Sequence, residues 1–365
     1  MKSLLFIGSL NKKASYFEEA NGKGLLVHLL DDHSFASEEL AIFPDIVNPT
    51  YLSPSHDGRY VYVNSEIEHW CEGLVTAFSF NWRERSLQYL NMQPSKGSIT
   101  AHNAIVTQDS RLYVANYGMY DDGPDQSVTV YPIMHSGGIG APISSIRQVG
   151  SSVNVLRQTR SHVHSVTHVG EKLILVADLG NDTLTIYDTS RVDLLKIAEK
   201  KVAAGSGPRH ACAHESGNFI YVVNELNSTV TAYSLILANR ELQEIGHYPT
   251  VEADFEGDNH PADIQLSPDG NYLYVTNRGS DTIMAYAVDR VTGSLTLMRS
   301  YPCGGRTPRS IAISPRGKLL LCANQDSDKI SIFERNIQSG DLRDTGESIL
   351  TGTPMCVRFA REFCL

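Results

Sequence analysis

The stretch LRQTRSHVHSVTH at 156–168 sets three histidines, His162, His164 and His168, close behind two arginines, Arg157 and Arg160. An imidazole titrates near neutrality and can activate water or move a proton. A guanidinium binds carboxylate or phosphate through two donors and steadies a developing oxyanion. Metal chemistry competes for the same residues. Alternation along a strand would put His162 and His164 on one face. Zinc or iron, however, wants three or four converging His, Cys or carboxylate ligands, and the chain has no HxxxH on a helix, no aspartate cluster and no EF-hand loop. No metal and no cofactor is therefore expected. No GxSxG elbow is present for a serine nucleophile. GSGPRH at 205–210 is too short for a phosphate loop and opens a strand, not a helix. Acid–base chemistry with electrostatic support is what the residue types leave.

Such side chains need a frame, and the frame is a repeat. A turn, an apolar β-rich run and a polar residue recur in HDGRYVYVNSE (56–66), DSRLYVANYG (109–118), GEKLILVADLG (170–180), SGNFIYVVNEL (216–226), PDGNYLYVTNRG (268–279) and PRGKLLLCANQ (315–325). LLFIGSL (4–10) is a seventh copy without its turn. The polar anchors fall at Gly8, Asn64, Asn116, Asp178, Asn224, Asn277 and Asn324. A period of roughly fifty residues in β-type sequence predicts a propeller with about four strands per blade. A second run precedes each turn, as in NPTYLSPS (48–55), AHNAIVTQ (101–108), PRHACAHE (208–215) and TPRSIAIS (307–314). TPMCVRFA (353–360) has no partner after it, so the two chain ends complete one hairpin between them. The prediction is an all-β, seven-bladed propeller, one domain over 1–365, its ring closed by N- and C-terminal strands in one blade and its sheet edges thereby removed.

In each hairpin the start of the first, innermost strand lies beside the end of the second. Both ends meet around the channel mouth, where closed β-architectures favour ligands. The inner-strand starts bring Asn48, Thr50, His102, Asn103, His162, His164, Arg209, His210, His260, Arg309 and Met355. The second-strand ends bring Ser9, Ser65, Glu66, Tyr117, Asp178, Glu225, Arg278 and Gln325. Ionisable groups gather there while the strands between are apolar.

The remaining features bound the class. The chain has 365 residues, 41% hydrophobic and 20% charged, with a net charge of −10. Without a long basic run, neither a nucleic acid nor a membrane surface is the expected partner. A local basic pocket can still hold a neutral or anionic small molecule. Cysteines 71, 212, 303, 322, 356 and 364 show no CxxC or zinc spacing and are expected as free thiols of a cytosolic protein. MKSLLFIGSL is a poor signal peptide. No apolar run reaches the roughly 18–20 residues of a membrane helix.

SHVHSV, GPRHACAHESGNFIYVVNEL, PDGNYLYVTNRG and TPRSIAISPRGKLLLCANQDSD resemble the lactonase family of seven-bladed propellers. That family includes the bacterial cycloisomerase-type 6-phosphogluconolactonase and the fungal 3-carboxy-cis,cis-muconate lactonizing enzyme. The resemblance is strongest over 160–335 and loose in the first hundred residues. YGMYDDGPDQS (117–127) is longer than the turn usual after the NY of this family. Carried over motif by motif, the resemblance implies four catalytic residues: His164 of the HxH segment, Arg209 of GPRH, Glu225 closing the next strand, and Arg278 of NRG. It implies metal-independent hydrolysis of a sugar lactone, 6-phosphogluconolactone or a related aldonolactone, with His164 as base. His162, His102, Arg160, Arg309 and Gln325 are expected to bind substrate. The alternatives are a muconate-type lactonizing cycloisomerase, which the same residues would serve, and a non-catalytic binding propeller. Which lactone is turned over, and in what oligomeric state, does not follow from the sequence.

Overall fold

The computed structural model describes residues 2–17, 19–120, 122–170 and 172–363; Cys364 lies outside them. Seven four-stranded antiparallel sheets form the chain. Counted from the first complete sheet, blades 1 to 6 cover 49–94, 100–146, 163–201, 208–249, 260–302 and 308–350. Blade 7 joins Pro354–Phe359 to Lys2–Ser9, Gly24–Asp31 and Ser37–Phe43. The closing register pairs Leu5 with Phe359 and Ile7 with Val357. The inner strand Pro354–Phe359 then adjoins those of blades 6 and 1, and the ring shuts as the unmatched half-repeats predict.

Each sheet is packed on both faces by its neighbours, so its second strand reads as a continuous apolar run. Phe219–Asn224 and Leu319–Asn324 are buried along their whole length. The outermost strands, such as Glu241–Pro249, are largely solvated. Between blades 7 and 1 the core is Leu4, Phe6 and Val27 against Leu52, Val63 and Phe78. Equivalent clusters fill the other clefts.

One local irregularity shapes the mouth. In all seven blades the inner strand carries one extra residue against its partner within its first few positions. Pro49 pairs Ser65, but Tyr51 pairs Asn64; Val163 pairs Asp178, but Ser165 pairs Ala177. A β-bulge of this kind re-aims a side chain. The residues at the step are Thr50, Ala101, His164, Arg209, Ala262, Arg309 and Met355. The bulge also shifts two of the expected anchors. The residues level with Asn116, Asn224 and Asn324 are Ser9 and Ser65, one place beyond Gly8 and Asn64.

The anchors are structural. Asn224 donates to the Thr229 and Thr231 hydroxyls, and Asn324 to Cys303 O and the Ser331 hydroxyl. Asp178 accepts from the His162, Gly180 and Asn181 amides. The anchors tie strand ends to their loops, and in four blades the next residue, Glu66, Tyr117, Glu225 or Arg278, reaches the mouth.

Candidate active site

A cavity of about 360 Å³ opens at this mouth. Small-molecule sites run from about 300 to 1,000 Å³. Six of the seven bulge residues line it: Thr50, Ala101, His164, Arg209, Arg309 and Met355. So do four residues that follow the anchors, Glu66, Tyr117, Glu225 and Arg278. Tyr16 and Phe17 come from the loop after the first strand, Met119 from the 117–127 segment, and Arg157 from the loop ahead of blade 3. One residue deeper on the inner strands stand Tyr51, His210 and Ser310.

Glu225 is the hub. It is buried, and its backbone N–H donates to Gly207 O at 2.8 Å. Oε2 faces Arg209 Nε at 2.9 Å and Arg278 Nη2 at 3.2 Å. Oε1 accepts from Arg157 Nη2 at 2.9 Å. Burial by itself would raise this carboxyl, but Arg278, Arg209 and Arg157 outweigh it and hold it well below the ordinary range. Each arginine has a second tether. Arg209 Nη1 donates to Ala262 O, Arg278 Nε to His260 O at 3.0 Å, and Arg157 Nη2 to the Tyr117 hydroxyl at 3.3 Å.

His164 Nε2 stands 4.0 Å from Glu225 Oε2. Its ring meets Tyr117 and His210 edge-on, at 5.5 and 5.4 Å between centroids. Burial, then Arg209 and His210, press its pKa well below the usual histidine value, against the pull of Glu225. It is a neutral imidazole at pH 7, able to accept a proton.

The floor is a second charge network. Asp263 accepts from His210 Nδ1 at 3.0 Å, Arg358 Nη2 at 3.2 Å and the Ile311 amide at 3.0 Å. With Nδ1 donating, His210 Nε2 is left to accept from Arg209 Nη1 at 3.2 Å. Arg358 also donates to the Tyr51 hydroxyl and lies over the Tyr51 ring. The mouth therefore rests on paired, rigid charges.

The opposite wall is unlike this. Glu66 is buried, with Arg309 and the Tyr16 and Thr50 hydroxyls facing it. Arg309 lies over Phe17 at 5.4 Å and reaches Gln325 Oε1 at 3.4 Å. Four guanidinium groups thus share the cavity with two carboxyl groups, Glu225 and Glu66, and the mouth is positive on a chain of net charge −10.

The structure brings His164, Arg209, Glu225, Arg278 and Arg309 together on the cavity wall. It does not bring His162, His102, Arg160 or Gln325 there. The bulge puts Ala101 at the wall and sends His102 one layer down, its ring 3.9 Å from Tyr51 and 5.1 Å from His210. His162 precedes its strand, which starts at Val163, so it does not share a face with His164. Its ring stacks on Tyr117 at 4.3 Å, and its Nδ1 meets Tyr117 O at 2.9 Å. Arg160 pairs with Asp125 of the long 117–127 segment. Gln325 turns to Asp326 and to a separate cleft. His168 lies deeper in its strand, opposite Ile174. Arg157, Tyr16, Phe17 and Met119 belong to no repeat position, and the repeat does not place them at the mouth. Only the closeness of Arg157 to the histidine stretch signalled it. Among the described residues no group of three His, Cys, Asp or Glu could hold a metal ion, and no helix is long and apolar enough to cross a membrane.

A sequence model of the family described as "Lactonase, 7-bladed beta-propeller" matches residues 5–359. A 6-phosphogluconolactonase of Formosa agariphila is 30% identical over 95% of this chain and 96% of its own. The 6-phosphogluconolactonase of Bacillus subtilis is 26% identical over 95% and 97%. The solved structure of a periplasmic gluconolactonase from Pseudomonas aeruginosa is similar with a TM-score of 0.87, at 27% identity over 98% of this chain and 99% of that one.

Proposed function

The chain belongs to the lactonase family of seven-bladed β-propellers, and we propose that it hydrolyses a sugar lactone, 6-phosphogluconolactone or a related aldonolactone, at the mouth of its channel. The observation that carries the reading is the neutral His164 standing 4.0 Å from a carboxylate that itself gathers three arginines. Water bound beside His164 loses a proton to the imidazole as its oxygen attacks the lactone carbonyl. Charge develops on the carbonyl oxygen. Arg209 and Arg278, held in advance by Glu225, are the donors that stabilise it, at little cost of reorganisation. Arg157 secures the other oxygen of Glu225. The surplus positive charge supports an anionic lactone as substrate.

The experiment is lactone hydrolysis by pH-stat with a chelator present, using 6-phosphogluconolactone, gluconolactone, galactonolactone and a muconolactone. The wild type is compared with His164→Gln. We expect rapid turnover of one sugar lactone and a loss in the variant of roughly 10²–10⁴-fold, the contribution of a general base. No turnover above the spontaneous rate in the wild type would sink the reading. Full activity in the variant would remove His164 from it.

A further inference from the structure

Glu66 and Glu225 hold the same position in their blades. Each follows the anchor of its second strand, and each donates its amide to the residue ahead of the inner strand, Glu66 to Asn48 O at 3.0 Å and Glu225 to Gly207 O at 2.8 Å. Blades 1 and 4 are three steps apart in a ring of seven, the widest separation the ring allows. The repeat has therefore set two buried carboxyls on opposite walls of one cavity.

Their surroundings differ. Glu225 is clamped by three guanidinium groups. Among the described residues Glu66 has no ion pair. The groups facing it are Arg309 from blade 6, Tyr16 from the rim loop, Thr50 from its own blade and, further off, Arg209 from blade 4. Burial raises the Glu66 carboxyl, and those neighbours only partly oppose it. Two carboxyls with proton affinities pushed apart in one site are how proteins divide the work of acid and base.

Lactone hydrolysis has a use for the one that holds its proton more tightly. When the tetrahedral intermediate collapses, the ring oxygen leaves as an alkoxide, a poor leaving group unless a proton reaches it. We propose that Glu66 is the general acid that supplies this proton; the proposal rests on the lactonase reading above. The water oxygen bonds to the carbonyl carbon, and its proton goes to His164. The carbonyl re-forms, and the ring C–O bond breaks with its electron pair on the ring oxygen. The Glu66 proton passes to that oxygen. His164 then returns its proton to Glu66 through solvent, so lactone and water become the hydroxy acid, with both side chains restored.

The test compares wild type and Glu66→Gln on two lactones, gluconolactone, which releases an alkoxide, and dihydrocoumarin, which releases a phenolate and needs no acid. For Glu66→Gln we expect a fall in kcat of roughly 10²-fold or more on gluconolactone, within the range for general acids. KM should stay near the wild-type value, and dihydrocoumarin should be far less affected. The alkaline limb of the wild-type kcat/KM profile should vanish. Infrared difference spectra taken across a pH titration should lose a carboxyl band that titrates above the ordinary carboxylate range in the wild type. The variant should melt no lower than the wild type, because the change removes a buried acid without altering its shape. Wild-type kcat in the variant, equal losses on both lactones, or a rise in KM alone would overturn the assignment. If the wild type takes only gluconolactone, the alkaline limb and the infrared band decide. Absence of any turnover by the wild type would instead overturn the lactonase reading itself.

Discussion

Arg209 Nε lies 2.9 Å from Glu225 Oε2, both side chains are buried, and His164 Nε2 stands 4.0 Å from the same oxygen. The pair cannot be dismantled from one side. Removing the carboxylate would leave Arg209 desolvated, with Arg278 beside it and no counter-charge between them. Glu225→Gln should therefore lose about 3–5 kcal/mol of stability, the usual cost of orphaning a buried charge, together with most of kcat. Urea unfolding and steady-state kinetics on one preparation check both. Wild-type stability would mean that water reaches the arginines and the hub is weaker than its geometry implies.

The position of His102 yields a contrasting expectation. It is buried, tilted against the Tyr51 ring and edge-on to His210, one layer below the cavity wall. His102→Ala should cost about 1–3 kcal/mol as a core truncation and leave KM close to the wild-type value. A raised KM at unchanged stability would return His102 to the substrate site.

The ring and the mouth were legible in the sequence for one reason. A turn, an apolar run and a polar anchor recur at a spacing that only one blade can fill, and the half-repeats at the two ends fit each other. Arg209, Glu225 and Arg278 followed from that register. What simple alternation misread was the bulge. It moves the wall from His102 to Ala101, takes His162 off the face of His164, and displaces two anchors to Ser9 and Ser65. The extra residue leaves no mark in an apolar pattern. Arg157 and the Tyr16–Phe17 rim lie in loops between repeats, where periodicity says nothing about reach.

Gly207 couples backbone to site. Its φ is +63°, its carbonyl receives the Glu225 amide, and a Cβ there would meet Leu226 Cγ at 2.5 Å. A left-handed backbone costs a non-glycine residue about 1–2 kcal/mol before any clash. Gly207→Ala should lower the melting temperature and also depress kcat, because Glu225 shifts with the loop. Loss of stability with kinetics unchanged would show that Glu225 does not depend on this turn.

Acid should unfold the protein through its histidines. Burial first, and then neighbouring cations, hold His164 and His102 well below the ordinary value, and His210 at about 4. Above pH 6.5 these groups are neutral both folded and unfolded. As pH falls below that, the unfolded chain binds protons that the native site refuses, so stability is lost until the folded values are reached. The raised carboxyls of Glu66, Asp32 and Asp178 work in the opposite direction. Melting curves between neutral pH and about pH 4 should show a steady fall, to which His28 and His162, also held low by burial, contribute, and which is shallower in His102→Ala. A flat profile would mean that these imidazoles titrate in the native protein as they do in the unfolded chain.

Arg309 is the cavity arginine with the weakest protein partners. Burial lowers its pKa, and Arg278 repels it, while Glu66 and Glu225 attract it from a distance. Its closest hydrogen bond, to Gln325 Oε1, is 3.4 Å long. A phosphate or carboxylate on the substrate would supply the charge that the protein withholds. Arg309→Gln should raise KM for 6-phosphogluconolactone by roughly 10–100-fold, the worth of one charge-assisted hydrogen bond of about 1.5–3 kcal/mol, with little change for gluconolactone. Added salt should weaken the phosphorylated substrate in the wild type and have less effect in the variant, because the steering charge is gone. Equal changes for both lactones would show that Arg309 supports the rim through Phe17 and does not read the substrate's charge.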